Sequence, residues 1–212
     1  SDIQTLIDSS FYGSSLWWID KMKDFQNGDE LVIKTSSDGQ KYLDYNTENE
    51  ALKIIDFVAI TSSGGTSIIK VAKNNGSGLP EALSTEELSS ATEFVDQVQP
   101  AGSQLSVISQ NSDLVKYTFD VYYNAILDLD TIKSNVKLAI DSYHANLEFN
   151  GSILISKVVD AIQGVNGIED VFVTLAEGKQ SGGTYASFTR IYETSSGHVK
   201  IDPDNDIDTT LT

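Results

Sequence analysis

Apolar and polar residues alternate with different periods along the chain, and each change of period marks an element. The clearest strand pattern is Leu114-Val-Lys-Tyr-Thr-Phe-Asp-Val-Tyr-Tyr123. Val115, Tyr117, Phe119, Val121 and Tyr123 fall on one face, and Lys116, Thr118 and Asp120 on the other. That spacing predicts a strand with one buried and one wetter side. A helical stripe follows (Ile132, Val136, Ala139, Ile140, Tyr143, Leu147), with Asp130 as its expected N-cap. Asn150-Gly151 breaks it. Ser152 is expected to restart a shorter helix carrying Leu154, Ile155, Val158, Val159 and Ile162, with Gly164 as its C′ residue. Residues 168–175 return as a strand.

Upstream, residues 2–10 predict a short helix with Ile3, Leu6 and Ile7 on one face. Ser14 or Ser15 caps a second helix over residues 16–25, which stops at Asn27-Gly28. Residues 31–35 and 41–45 flank Asp38-Gly39 as a β-hairpin. Residues 54–60 read as a third strand before a flexible Ser62-Ser-Gly-Gly65. A strand at 67–72 leads to Ser84-Thr-Glu-Glu87, a capping-box pattern. The helix behind it, striped by Leu88, Ala91, Val95 and Val98, ends at Pro100, and residues 104–109 form the next strand. Beyond a flexible segment at 177–183, residues 185–192 and 198–201 predict a C-terminal hairpin turned by Ser195-Ser-Gly197.

From residue 67 onward the order is β-α-β-β-α-β with one additional helix. This predicts an α+β protein containing a ferredoxin-like split βαβ antiparallel sheet. The expected division is 1–61 for N-terminal helices and a small β-meander, 62–176 for the split βαβ domain, and 177–212 for a C-terminal hairpin and acidic tail.

Charge narrows the function classes. The 212-residue chain carries a formal net charge of −17, which repels phosphate backbones and anionic lipid, so nucleic-acid binding is not expected. No apolar run reaches membrane-spanning length, and no insertion is expected. There is no cysteine, which removes disulfides and thiolate chemistry. The sequence starts Ser1-Asp-Ile-Gln, with neither Met nor a signal-peptide pattern, as in a processed, trimmed or partial chain.

Candidate chemistry is sparse. His144 and His198 are the only histidines, neither within a motif, and no Gly-x-Ser-x-Gly elbow or Walker A pattern occurs. No catalytic residue, no cofactor and no enzymatic activity are expected. Asp202, Asp204, Asp206 and Asp208 begin like a calcium loop, but Ile207 stands where the turn glycine belongs and no bidentate Glu follows. A solvated acidic turn is the expectation there. The interaction candidates are aromatic: Trp17, Trp18 and Phe25 early in the chain, and Tyr122, Tyr185 and Tyr192 later.

Tyr117-Thr-Phe-Asp-Val-Tyr-Tyr123, the helix ending Tyr143-His-Ala-Asn-Leu-Glu-Phe-Asn-Gly-Ser152, and Ile155-Ser-Lys-Val-Val-Asp-Ala-Ile-Gln-Gly-Val-Asn-Gly-Ile168 together resemble a known family. They are similar to the C-terminal part of baseplate wedge (J-like) proteins of contractile phage tails and related injection machines. The resemblance covers residues 60–175 for the family at large. It covers most of the chain for versions from phages or prophages of Bacteroides-type hosts. It implies a structural subunit of the virion tail or baseplate, made in the bacterial cytoplasm, that binds other baseplate or tail proteins and copies of itself. It brings no catalytic residues. The alternative is a stand-alone carbohydrate or cell-surface binding module using its exposed aromatics.

Overall fold

The computed structural model describes residues 11–205. The helix expected at 2–10 and the end of the acidic tail lie outside the described residues. The fold is α+β, and the chain divides into two compact units, Ser1–Gln110 and Asn111–Thr212.

In the first unit, helix α1 (Ser15–Lys23) starts where the Ser14 hydroxyl accepts the Trp17 N–H at 3.2 Å. Strands β1 (Leu31–Thr35) and β2 (Lys41–Tyr45) form the expected hairpin, with Gly39 at φ +86°. The third strand does not join them, so there is no meander. Strand β3 (Phe57–Ser63) pairs instead with β4 (Thr66–Asn74), with Ser63 opposite Thr66. Gly64 and Gly65, expected to be a flexible linker, are the two residues of this tight turn, at φ +60° and +85°. Positive φ at both central positions matches the twist of the flanking strands, and glycine reaches it without strain.

Helix α2 (Thr85–Val98) begins with the predicted capping box. The Ser84 hydroxyl accepts the Glu87 N–H at 3.2 Å, and the Glu87 carboxylate accepts the Ser84 N–H at 2.7 Å. Such a cap contributes about 1 kcal/mol. After the helix, β6 (Leu105–Ile108) lies parallel to β4 and directly beside it, and β5 (Pro80–Glu81) pairs with the end of β4 on the same sheet. Trp18, Met22, Phe25, Ile69, Val71 and Phe94 form the centre of this unit's core.

This pairing overturns the single ferredoxin-like sheet. That arrangement needs strands from 113–175 to join the sheet of 67–109. β4 instead has β3 on one side and β5 with β6 on the other, so neither of its edges is free. The strands after residue 110 build their own sheet, and the boundary between the units falls inside the segment expected to be one domain.

The second unit is built on β7 (Asp113–Tyr123) and β9 (Ile168–Lys179), which are antiparallel. Between them run α3 (Leu129–Ala145), β8 (Ser152–Leu154) and α4 (Ile155–Gln163). The odd-numbered face of β7 packs with Ile132, Val136 and Ile140 of α3 and with Val158 and Ile162 of α4 in one buried cluster. Local details depart from expectation. The α3 cap is Asp128, whose carboxylate accepts the Thr131 N–H at 2.9 Å, two residues earlier than Asp130. Ser152 opens a strand, not a helix. Gly164 is right-handed at φ −70°, and the left-handed turn falls at Gly167, φ +94°.

Residues 185–192 and 198–201 do not pair as the expected hairpin. Strand β10 (Ala186–Ser187) pairs with β9, β11 (Ile191–Glu193) with β8, and β12 (Val199–Ile201) lies parallel to β7. The sheet order is β10-β9-β7-β12, so the end of the described chain covers part of both outer edges. Edge pairing supplies hydrogen bonds to strands that would otherwise expose a free ladder, which explains why these short strands separate.

Candidate interaction surface

The outer, even-numbered face of β7 carries Leu114, Lys116, Thr118, Asp120 and Tyr122. Register places Lys179, Glu177, Leu175, Phe172 and Asp170 opposite them on β9. A one-residue irregularity between Thr118 and Phe119 makes Thr174 an additional residue on β9. It carries both Phe172 and Leu175 to the outer face, while Val171 and Val173 pack on the core side. Tyr122 is 59% exposed and Phe172 63% exposed. Carboxylates rim them at Asp120 and Asp170. Aromatic residues of this kind, exposed on a rigid sheet and ringed by polar groups, have the composition of an interface centre.

The other end of the face is closed by the returning chain. The Tyr185 hydroxyl donates to Asp202, and the Lys116 and Lys179 ammonium groups stand 4.6 and 4.5 Å from the centre of the Tyr185 ring. The same ammonium groups lie 3.6 and 3.8 Å from the buried Asp202 carboxylate, whose other oxygen accepts the Asp204 N–H at 2.9 Å. Asn205 then clamps the β7 edge: its side chain accepts the Tyr117 N–H at 2.6 Å and donates to the Tyr117 carbonyl at 3.2 Å. Of the calcium-loop candidates, Asp202 therefore spends its oxygens on the protein, and a cation there would face two ammonium groups. Asp206 and Asp208 lie outside the described residues. Among the described residues no group of three potential metal ligands gathers.

A second buried carboxylate holds the turn before β12. Asp113 accepts the Tyr192 hydroxyl at 3.0 Å and the Ser195 and Ser196 N–H groups at 2.6 and 3.2 Å. Its own N–H donates to the His198 carbonyl at 3.0 Å. Burial, then the neighbouring Asp113 charge, raises the Tyr192 phenol above its ordinary pKa. The Tyr192 ring lies on Gly178, where a Cβ would come within 2.3 Å of it.

The sequence candidates thus separate by role. Trp18 and Phe25 are core residues, each 2% exposed. Trp17 is half-buried and wedged edge-to-face between Tyr12 and Trp18, at 4.6 and 4.9 Å. Tyr185 and Tyr192 bond to buried carboxylates, and Tyr122 alone of the six is fully at the surface. Phe172 and Leu175 were not singled out from the sequence. The one signal for them was apolar residues of both parities in Val171-Phe-Val-Thr-Leu175, more than a one-sided strand needs. His144 is buried and His198 half-buried. His144 Nε2 lies 3.0 Å from the Tyr117 hydroxyl, its Nδ1 has no partner, and desolvation lowers its pKa to about 4. Desolvation also lowers the pKa of His198, whose ring stacks on Phe149 at 6.2 Å.

A family match falls within the second unit. Residues 116–182 match the baseplate J-like protein C-terminal domain. The matched segment runs from within β7 through α3, β8 and α4 to just past β9, and so contains the Tyr122–Phe172–Leu175 face. Among solved structures, a chain of the anti-feeding prophage (AFP) baseplate, from a 6-fold symmetrised cryo-EM structure, is similar at 14% identity with a TM-score of 0.43. That similarity covers 70% of this chain and 33% of the other, so the chain spans about a third of the length of that relative. No curated protein matches. No helix among the described residues is long and apolar enough to cross a membrane.

Proposed function

We propose that the chain is a structural component of a phage-tail baseplate or related contractile injection apparatus, acting in the virion tail through protein–protein assembly. The observation that supports this most is the match of residues 116–182 to the baseplate J-like C-terminal domain. The outer face of the β7–β9 sheet is the proposed contact. It combines rigid backbone, exposed aromatics and a polar rim, and its partners are other baseplate or tail proteins or a further copy of the chain.

Exposed aromatic anchors dominate interface energies, so a double replacement there should remove assembly without disturbing the core. The Tyr122→Ser/Phe172→Ser chain is expected to keep its circular dichroism spectrum. Its amount in purified particles, measured by mass spectrometry, should drop by about tenfold or more. Incorporation at the wild-type level would exclude this face as the contact.

A further inference from the structure

Strand β1 is left with an open edge. Among the described residues β2 is the only strand that pairs with it, and the two form a separate two-stranded sheet. The Ser36 N–H donates to the Gln40 carbonyl at 2.8 Å, which closes the hairpin and fixes the ladder behind it. Val32 and Lys34 therefore exchange bonds with Asp44 and Tyr42, and the N–H and C=O groups of Leu31, Ile33 and Thr35 point away from β2. The usual protections of such an edge are missing. β1 has no proline and an unbroken register, and its one charge, Lys34, is tied back across the sheet to Asp44 at 3.1 Å. In the second unit, by contrast, short strands lie along both outer edges of the sheet.

A hairpin of two strands is marginal in water, and further strands on its edge make it stable. This one also exposes apolar side chains on both faces: Ile33, 70% exposed, on one, and Val32 and Tyr42 on the other. Charge and register select what covers it. In a chain of net charge −17, two copies approach most readily where the surface is not acidic. Residues 31–43 carry Lys34 and Lys41 against Asp38 alone. The edge is also complementary to itself. Antiparallel pairing of β1 with a second β1, Ile33 on the two-fold axis, sets Ile33 opposite Ile33, Leu31 opposite Thr35 and Val32 opposite Lys34. All three outward-pointing residues of each copy then gain a ladder partner, and no like charges meet. Sliding the copies until Lys34 lies on the axis would instead set two ammonium groups face to face.

The geometry points to self-association of the chain through β1, in a continuous sheet of order β2-β1-β1-β2 with two-fold symmetry. The inference concerns the first unit and does not rest on the contact proposed for the β7–β9 face, so either can fail alone. Sedimentation equilibrium of the whole chain tests it. The wild type is expected to show a monomer–dimer equilibrium. Ile33→Lys and Ile33→Glu each remove apolar contact and place like charges opposite one another, so each should weaken the dimer by about tenfold or more. An equimolar mixture of the two variants sets opposite charges at the axis and should restore it. Ile33 is exposed and its N–H points outward, so both variants retain the hairpin, with circular dichroism as the check. The Tyr122→Ser/Phe172→Ser chain should dimerise as the wild type does. A wild type that stays monomeric at millimolar concentration, a dimer unchanged in Ile33→Lys, or no recovery on mixing the two variants would each overturn the proposal. So would a dimer lost in Tyr122→Ser/Phe172→Ser.

Discussion

Replacing Asp113 with alanine is expected to destabilise the second unit by about 4 kcal/mol. The side chain is fully buried and answers three donors, the Tyr192 hydroxyl and the Ser195 and Ser196 N–H groups. Truncation leaves all three without their partner. Each buried unsatisfied group costs about 1–3 kcal/mol, moderated where water enters. The loss also frees the turn that delivers β12 to the β7 edge, where Val199 pairs with Asp113 itself. Tyr192→Phe removes one donor and leaves the carboxylate its two N–H groups, so it should cost about 1 kcal/mol. Urea unfolding followed by amide NMR measures both. Trp17 and Trp18, the only tryptophans, lie in the first unit, so their fluorescence is an internal reference. Equal midpoints for wild type and Asp113→Ala would refute the role given to Asp113.

Acid should weaken the second unit through His144. Desolvation holds its pKa at about 4 in the fold, against 6.5 for a solvated histidine. Above pH 6.5 both folded and unfolded chains carry a neutral imidazole, and this group adds no pH dependence. As pH falls from 6.5 to about 4, the unfolded chain binds a proton that the folded chain refuses, so stability is lost across that window. Below it both states are protonated and the loss levels off at about 3 kcal/mol. The nearest polar group, the Tyr117 hydroxyl, has its pKa raised by burial and stays neutral throughout. His144→Phe removes the proton site and keeps the ring. It costs stability at pH 7, because the Tyr117 hydroxyl loses its partner. The gap between wild type and variant should therefore shrink or reverse by about 3 kcal/mol between pH 7 and pH 4. A gap that stays constant with pH would show that His144 does not titrate as its burial requires.

Much of the local structure is legible in the sequence because it is set by neighbours in the chain. The Ser84–Glu87 capping box, the Asp38-Gly39 hairpin and the one-sided β7 pattern all depend on contacts within a few residues or on simple period. What was not legible depends on which strand meets which. Gly64-Gly65 serves equally as a linker or as a tight turn, and only the pairing of β3 with β4 decides. The β4–α2–β6 order fits either a split or a direct parallel pair, and the direct pair closes the sheet against the strands that follow. Short segments such as Ala186–Ser187 and Val199–Ile201 carry too few residues to show a partner.

The interaction site shows the same division. Tyr122 was readable as an exposed residue at the end of a patterned strand. Phe172 and Leu175 reach the same face only through the irregular pairing near Thr174. Trp18 and Phe25 carry the composition of a binding surface but supply the core of the first unit. Asp202 resembles a metal ligand in its acidic run, yet its carboxylate meets Lys116 of β7 and Lys179 and Tyr185 from the end of β9 and the segment after it.

Hydroxyl-radical footprinting of Tyr122 and Phe172, in the free chain and in purified tail particles, tests assembly through the β7–β9 face most directly. Both rings should be oxidised readily in the free chain and protected in the particle. Equal oxidation in the two states, or absence of the chain from the particles, would contradict it.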